Sequence, residues 1–209
     1  MPPATGGGVT PPAATSAPAA ATSAKPAGGT GNDIKSDDKF WVSGGTNGVG
    51  IQGPWYEYMD TGGSTAAKTV EAGTVCVSGE TTAVVVGEEA TTWGAGLGLG
   101  LNSTGTDKYD VWDGSKYSGF AFTAAITGTN TVTLEFVEKG FPSGDPPNEV
   151  AVKKGANTIK FSAAEQPSWF TDTATPLDES KLLKLQFKVA GGTAAETYKL
   201  CISAMKVTD

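Results

Sequence analysis

Two short segments combine flat aromatic rings with carboxylates at a spacing that a binding surface could use. In Trp55-Tyr56-Glu57-Tyr58-Met59-Asp60, strand alternation puts Tyr56 and Tyr58 on one face and Trp55 and Glu57 on the other. One of those faces is expected to be core, and the other is then available to a ligand. Tyr109-Asp110-Val111-Trp112-Asp113-Gly114 is short, polar and loop-like, so Trp112 is expected at the surface with Asp110 and Asp113 in reach. Such rings stack against the C–H face of a pyranose, while carboxylates, amides and lysines hydrogen-bond its hydroxyls. The candidate contacts are therefore Trp55, Tyr56, Tyr58, Tyr109, Asp110 and Trp112. Trp93 and Trp169 adjoin strands or turns and read as seals at the ends of a domain, and Trp41 reads as an edge anchor.

Other chemistries are narrowed by composition. All 15 basic residues are lysines, histidine is absent and the net charge is -7. Without the guanidinium fork and with an acidic balance, nucleic acid is a poor partner. Without imidazole, hydrolase mechanisms that depend on histidine are closed. Carboxylate pairs such as Glu88 with Glu89, Asp110 with Asp113 or Glu135 with Glu138 could in principle serve a glycosidase, but they read as solvated rims or opposed strand faces. The chain is expected not to be an enzyme. Calcium needs six to eight oxygens, on the order of several carboxylates. Asp33, Asp37, Asp38 and Asp60 could supply them together with Asp209 if the first and last strands are neighbours, which makes structural calcium a candidate cofactor.

The elements that must carry these residues are strands. In Trp93-Gly94-Ala95-Gly96-Leu97-Gly98-Leu99-Gly100-Leu101-Asn102 the leucines share one face and the glycines leave the other bare. Each mid-strand glycine costs roughly 0.5 to 1 kcal/mol relative to alanine, so something must lie against that backbone. Either an aromatic side chain from a neighbouring segment or a bound ligand would do so. Strands are expected at 40–43, 55–59, 73–77, 83–86, 94–102, 118–126, 131–137, 157–161, 182–189 and 196–207, with short hairpin-like links at 128–130 and 190–193 and one helical turn within 177–182. The fold class is all-β: a two-sheet antiparallel β-sandwich, with a jelly roll as its topology. Residues 1–32, built from Pro, Ala, Thr, Ser and Gly, form a flexible linker, and residues 33–209 form the domain. Met1-Pro2-Pro3 has neither the basic start nor the apolar run of a signal peptide, so an exported form would be one whose signal has been removed. No apolar stretch reaches the roughly 20 residues that span a bilayer. In an exported protein Cys76 and Cys201 most simply form a disulfide tying an early strand to the last; two buried thiols are the alternative.

Gly53 to Asp60, Trp93 to Asn102, Tyr117 to Phe122, Gln166-Pro167-Ser168-Trp169, Lys181 to Val189 and Tyr198 to Val207 resemble, in that order, the galactose-binding-like jelly-roll modules of secreted bacterial proteins. Relatives of these include carbohydrate-binding modules attached to polysaccharide-degrading enzymes. The resemblance implies a sandwich whose concave face or edge loops bind glycans, frequently with a structural calcium, and it makes Tyr109 and Asp110 a lead-in to the next strand. The loop from Gly140 to Asn148 and the lack of arginine depart from the pattern, so the ligand class does not carry over. The chain thus reads as a non-catalytic carbohydrate-binding module, secreted or at the cell surface, tethered through its N-terminal linker to a surface or an enzyme and binding a polysaccharide. The competing class is a structural or adhesive domain that binds protein or acts as a spacer. Exposed aromatics on one face favour the first class, and their complete burial favours the second.

Overall fold

The computed structural model describes residues 31–88, 91–105, 108–142 and 146–209. Most of the expected linker, Glu89 of the Glu88/Glu89 pair and part of the 140–148 loop lie outside the described residues. In chain order the strands are β1 (Trp41–Val42), β2 (Gly53–Met59), β3 (Ala67–Glu71), β4 (Thr74–Thr81), β5 (Gly94–Gly100), β6 (Ser103–Gly105), β7 (Lys108–Tyr109), β8 (Gly119–Thr127), β9 (Val132–Glu138), β10 (Asn148–Ala151), β11 (Gly155–Lys160), β12 (Leu182–Ala190) and β13 (Glu196–Thr208). They form a six-stranded sheet, β1-β2-β5-β12-β9-β10, and a five-stranded sheet, β11-β8-β13-β4-β3, with β6 and β7 paired separately. Every pairing within the two large sheets is antiparallel, and the chain passes repeatedly from one sheet to the other, giving the expected jelly-roll sandwich.

Period-two alternation builds the core between the sheets. Leu97 and Leu99 of β5, Leu185 and Phe187 of β12, and Leu134 and Phe136 of β9 meet Phe120 and Phe122 of β8 and Leu200 and Ile202 of β13, all buried. Phe187 links the layers: it stacks on Trp55 at 6.3 Å between centroids and meets Phe122 edge-on at 5.1 Å. Along β13 the inward parity changes from Leu200 and Ile202 to Met205 and Val207. The change occurs at Ala204, whose φ of 49° lies in the left-handed region, within the register shift between Ser203 and Lys206. That bulge keeps both halves of a long strand facing the same core.

Two kinds of expectation about connections, the hairpin links and the strand at 83–86, are corrected, and the helical turn is borne out. The links at 128–130 and 190–193 are not hairpins: each carries the chain across the sandwich, from β8 to β9 and from β12 to β13, strands of different sheets. Residues 83–86 form no strand, because after Thr81 the chain leaves the sheet into a loop tied by Val84 N–H to Gly192 O and Val85 N–H to Thr92 Oγ1, with Val86 93% exposed. The expected helical turn is a single 3-10 turn, Glu179–Lys181, capped by the Asp178 side chain, which accepts from Ser180 N–H. Cys76 and Cys201 are bonded, and they stand opposite each other on neighbouring strands β4 and β13 of one sheet, with Cα atoms 4.0 Å apart.

Candidate functional site

The outward face of the six-stranded sheet is organised around β5. An ideal Cβ on Gly98 would lie 2.1 Å from Tyr56 Cζ, one on Gly96 2.6 Å from Tyr58 Cζ, and one on Gly100 2.8 Å from Tyr109 Cε1. The bare face of the glycine strand is therefore covered by aromatic side chains: Tyr56 and Tyr58 from the neighbouring β2, and Tyr109 from β7. Trp93, the residue before β5, continues the line. Successive centroids run Trp93 to Tyr58 at 5.5 Å, Tyr58 to Tyr56 at 6.1 Å and Tyr56 to Tyr109 at 6.4 Å. All four rings are half-buried, so each keeps some surface for a partner.

Beside this line runs a polar row. Lys184, Gln186 and Lys188 of β12 stand directly across from Gly100, Gly98 and Gly96. Lys184 Nζ lies 3.9 Å from the Tyr109 ring centroid and 5.6 Å from that of Tyr56, a cation–π arrangement. Lys188 forms an ion pair with Glu135 of β9 and lies 3.2 Å from Glu149 of β10. Burial raises the Glu135 pKa above the usual carboxylate range against the pull of Lys188. Burial also opposes the Lys188 charge, but the Glu135 carboxylate, with Glu149, outweighs it and holds the ammonium pKa above its ordinary value. Burial first, and then Tyr109, push the Tyr56 phenol well up; burial does the same for Tyr58. Both phenol oxygens are shielded from solvent and without a hydrogen-bond partner, although the Gln186 amide approaches that of Tyr56.

No family model matches the sequence, and no curated protein matches it either. Among solved structures, the family 11 carbohydrate-binding module of the cellulosomal cellulase Lic26A-Cel5E of Clostridium thermocellum is similar, with a TM-score of 0.52 and 15% identity over 86% of this chain and 95% of that one. A solution structure of CtCBM11 gives a TM-score of 0.50 and 16% identity over 85% of this chain and 95% of that one. The fold is that of a carbohydrate-binding module. Identity this low speaks for the fold, so any ligand of a carbohydrate-binding-module fold with these side chains must be argued from the side chains.

The structure divides the candidate residues. It brings Tyr56, Tyr58 and Tyr109 together on one face, and leaves Asp110 exposed at the end of β7 with its N–H donating to Asn102 O. Trp55 and Trp112 are corrected to core residues, 3% and 5% exposed. Trp55 takes the inward side of β2, and Trp112 is drawn in because its indole N–H donates to Val49 O at 2.9 Å while its ring stacks on Tyr117 at 5.6 Å. Trp93 joins the aromatic line instead of sealing an end, and Trp169 is 70% exposed in a loop rather than sealing anything. Trp41 lies in edge strand β1.

The acidic candidates have local duties. Asp60 is buried, and its carboxylate accepts from Gly62 N–H, Ser64 N–H, Ser64 Oγ–H and Gly94 N–H, which anchors the loop after β2 to the start of β5. Asp37 accepts from Lys39 N–H and Trp41 N–H, and Asp38 is exposed. Asp209 accepts from the Asn32 amide at 3.5 Å, and the backbone of Asp33 forms an antiparallel β-bridge with that of Lys206, so the first and last segments are neighbours. Among the described residues no three Asp, Glu or Cys side chains converge as a metal group would. Asp113 accepts from Ser115 within its own turn. Glu135 and Glu138 are not solvated rims: both are buried, Glu138 accepting from Asp178 N–H at 2.8 Å and Asn148 Nδ2 at 3.4 Å.

Lys184, Gln186, Lys188, Glu135, Glu149 and Trp93 join the candidate site without having been singled out from the sequence for it. The alternation of Lys184, Gln186 and Lys188 with Leu183, Leu185 and Phe187 marks a polar face, but not that it adjoins the aromatic one.

Proposed function

We propose that this chain is a non-catalytic carbohydrate-binding module of an exported protein, and that it holds a polysaccharide along β5 on the outward face of the six-stranded sheet. The observation that carries this reading is the line of four half-buried rings, Trp93, Tyr58, Tyr56 and Tyr109, beside the polar row of β12. A run of rings suits a ligand that repeats along one direction. The adjacent ammonium, amide and carboxylate groups suit its hydroxyls. The disulfide between Cys76 and Cys201 supports an oxidising compartment, and residues 1–32, rich in Pro, Ala, Thr and Ser, would serve as the tether.

Affinity electrophoresis and titration calorimetry over a panel of soluble polysaccharides test the proposal. The parent should bind at least one member, and Tyr56→Ala and Tyr109→Ala should each weaken that binding by roughly tenfold or more, the worth of a well-placed aromatic contact. A parent that binds none of a broad panel, or two tyrosine variants that bind as well as the parent, would return the chain to the structural or adhesive class.

A further inference from the structure

Along the outward face the two ends differ. At the Tyr109 end Lys184 lies over the rings. At the Trp93 end there is a pocket of about 280 Å³ lined by Tyr58, Trp93, Glu135, Gln186 and Lys188. That is just under the roughly 300 Å³ at which ordinary small-molecule sites begin, and gives room for one sugar ring rather than two.

Three features in and beside this pocket are costly in the free protein. Glu135 is only 7% exposed, yet it holds its carboxylate against the Lys188 ammonium, which Glu149 meets from the β10 side at 3.2 Å. The Tyr58 hydroxyl, at the lining, is shut off from solvent without a partner. Thr133 Oγ1 is likewise unpartnered, on the residue that stands across from Lys188 in the β9–β12 register. Apolar side chains of similar size would make a more stable sheet face than an ion cluster with orphan hydroxyls. A ligand that brings its own hydroxyls would add hydrogen-bond partners for Glu135, Gln186 and Lys188, the polar side chains that line the pocket.

From this geometry we infer that the pocket is a single-sugar subsite that selects a neutral pyranose, one ring hydroxyl donating to the Glu135 carboxylate and a neighbouring one accepting from Gln186 or Lys188. The inference deepens the carbohydrate-binding reading and rests on it. Two carboxylates around one ammonium leave an excess of negative charge, so a uronate or sulfated sugar is repelled where its own charge would sit. Glu149 is a positioning residue: it holds Lys188 in place and cancels the pull that a lone ammonium would exert on anions.

The test uses the full chain, titrated with neutral polysaccharides (mixed-linked β-glucan, xylan, galactomannan) and anionic ones (polygalacturonate, alginate). The parent should bind a neutral member and no anionic one. Gln186→Ala and Glu135→Gln should each weaken neutral binding by about tenfold, as loss of a hydrogen bond to a charged or well-placed polar group does. The double variant Glu135→Gln/Glu149→Gln, with Lys188 uncompensated, should gain anionic binding that rising salt removes. Melting curves report folding, and Gln186→Ala, which leaves the ion cluster intact, decides the matter if Glu135→Gln unfolds. A parent that prefers anionic chains overturns the inference, as does a double variant that gains no anionic binding. So does unchanged binding in Gln186→Ala and Glu135→Gln while Tyr56→Ala loses it, a result that leaves the carbohydrate-binding reading standing. A parent that binds nothing, or a Tyr56→Ala that binds like the parent, removes both.

Discussion

At the residue scale, the contrast between Gly96 and Gly98 shows how the bare face of β5 is used. A methyl group on Gly98 meets the far end of the Tyr56 side chain, which can swing away. One on Gly96 also meets the backbone oxygen of Phe187 at 2.4 Å, which cannot. Gly96→Ala is therefore expected to destabilise the protein by roughly 1 to 3 kcal/mol, the range for overpacking, whereas Gly98→Ala should cost less stability and show its effect as lost polysaccharide affinity when Tyr56 is displaced. Urea midpoints and titrations on the two variants separate these outcomes. Trp112 gives the opposite signature to Tyr56. Trp112→Ala opens a cavity in the core and removes an indole hydrogen bond, so a loss of about 3 to 5 kcal/mol is expected by chemical denaturation, with affinity unchanged in the fraction that folds.

At the element scale, the turns decide which strands pair. Ala72 and Gly73, with φ of 48° and 80°, form the tight link of the β3–β4 hairpin. Both are left-handed, and alanine is a poor residue there; asparagine tolerates that region better and favours this turn. Ala72→Asn should raise stability by up to about 1 kcal/mol, read as a higher melting temperature. The disulfide couples β4 to β13 across 125 residues of sequence. In the chain-entropy model the closure of so long a loop is worth at most about 5 kcal/mol, so the Cys76→Ser/Cys201→Ser variant should lose a large part of that, and the unfolded, unreduced parent should take up no alkylating reagent. Most of the longer strands were readable from Val, Thr and aromatic runs, whereas β3 and β10 were missed and 83–86 was taken for a strand; a three- or four-residue link, moreover, serves a hairpin and a crossing between sheets equally well. The links after β8 and β12 were accordingly legible as turns and not as crossings.

At the scale of the whole molecule, two carboxylates make pH act on stability in opposite directions. Burial disfavours the Glu57 charge, but the Lys68 ammonium, 2.7 Å away, more than compensates and lowers its pKa. Its contribution is present above the unfolded value near 4.5 and is lost as pH falls through the lower folded value. Glu135 has a raised pKa, so its contribution is present below the unfolded value near 4.5 and is lost as pH rises through the higher folded value. In urea titrations at a series of pH values, Lys68→Ala should therefore lose most relative to the parent at neutral pH and least in acid. Glu135→Gln should shift in favour of the variant as pH rises from acid to neutral. The same two side chains show how function is distributed: Glu57 joins β2 to β3 of the opposite sheet, whereas Glu135 faces outward beside Lys188 on the candidate binding surface.

What the sequence determined by itself was alternation and its exceptions. Period-two patterns at Phe120 to Ala124 and Leu183 to Val189, and the glycines interleaved with leucines from Gly96 to Leu101, specified an all-β sandwich and a bare strand face that a neighbouring side chain or a ligand must cover. They also put Tyr56 and Tyr58 together on one face of their strand. Only the tertiary structure decided which face of each strand is core. Trp112 looks exposed in a polar loop and is buried, because Val49 O waits for its indole N–H from 63 residues away. Trp93 looks like a seal and lines the site, because β2 pairs beside β5 and brings Tyr58 under it. In the sequence Glu135 reads only as half of a carboxylate pair with Glu138, and Gln186 and Lys188 only as the polar face of an alternating strand. They become one cluster only when β12 is laid between β5 and β9, since strand order and register are set by packing between segments far apart in the chain and not by any local pattern within them.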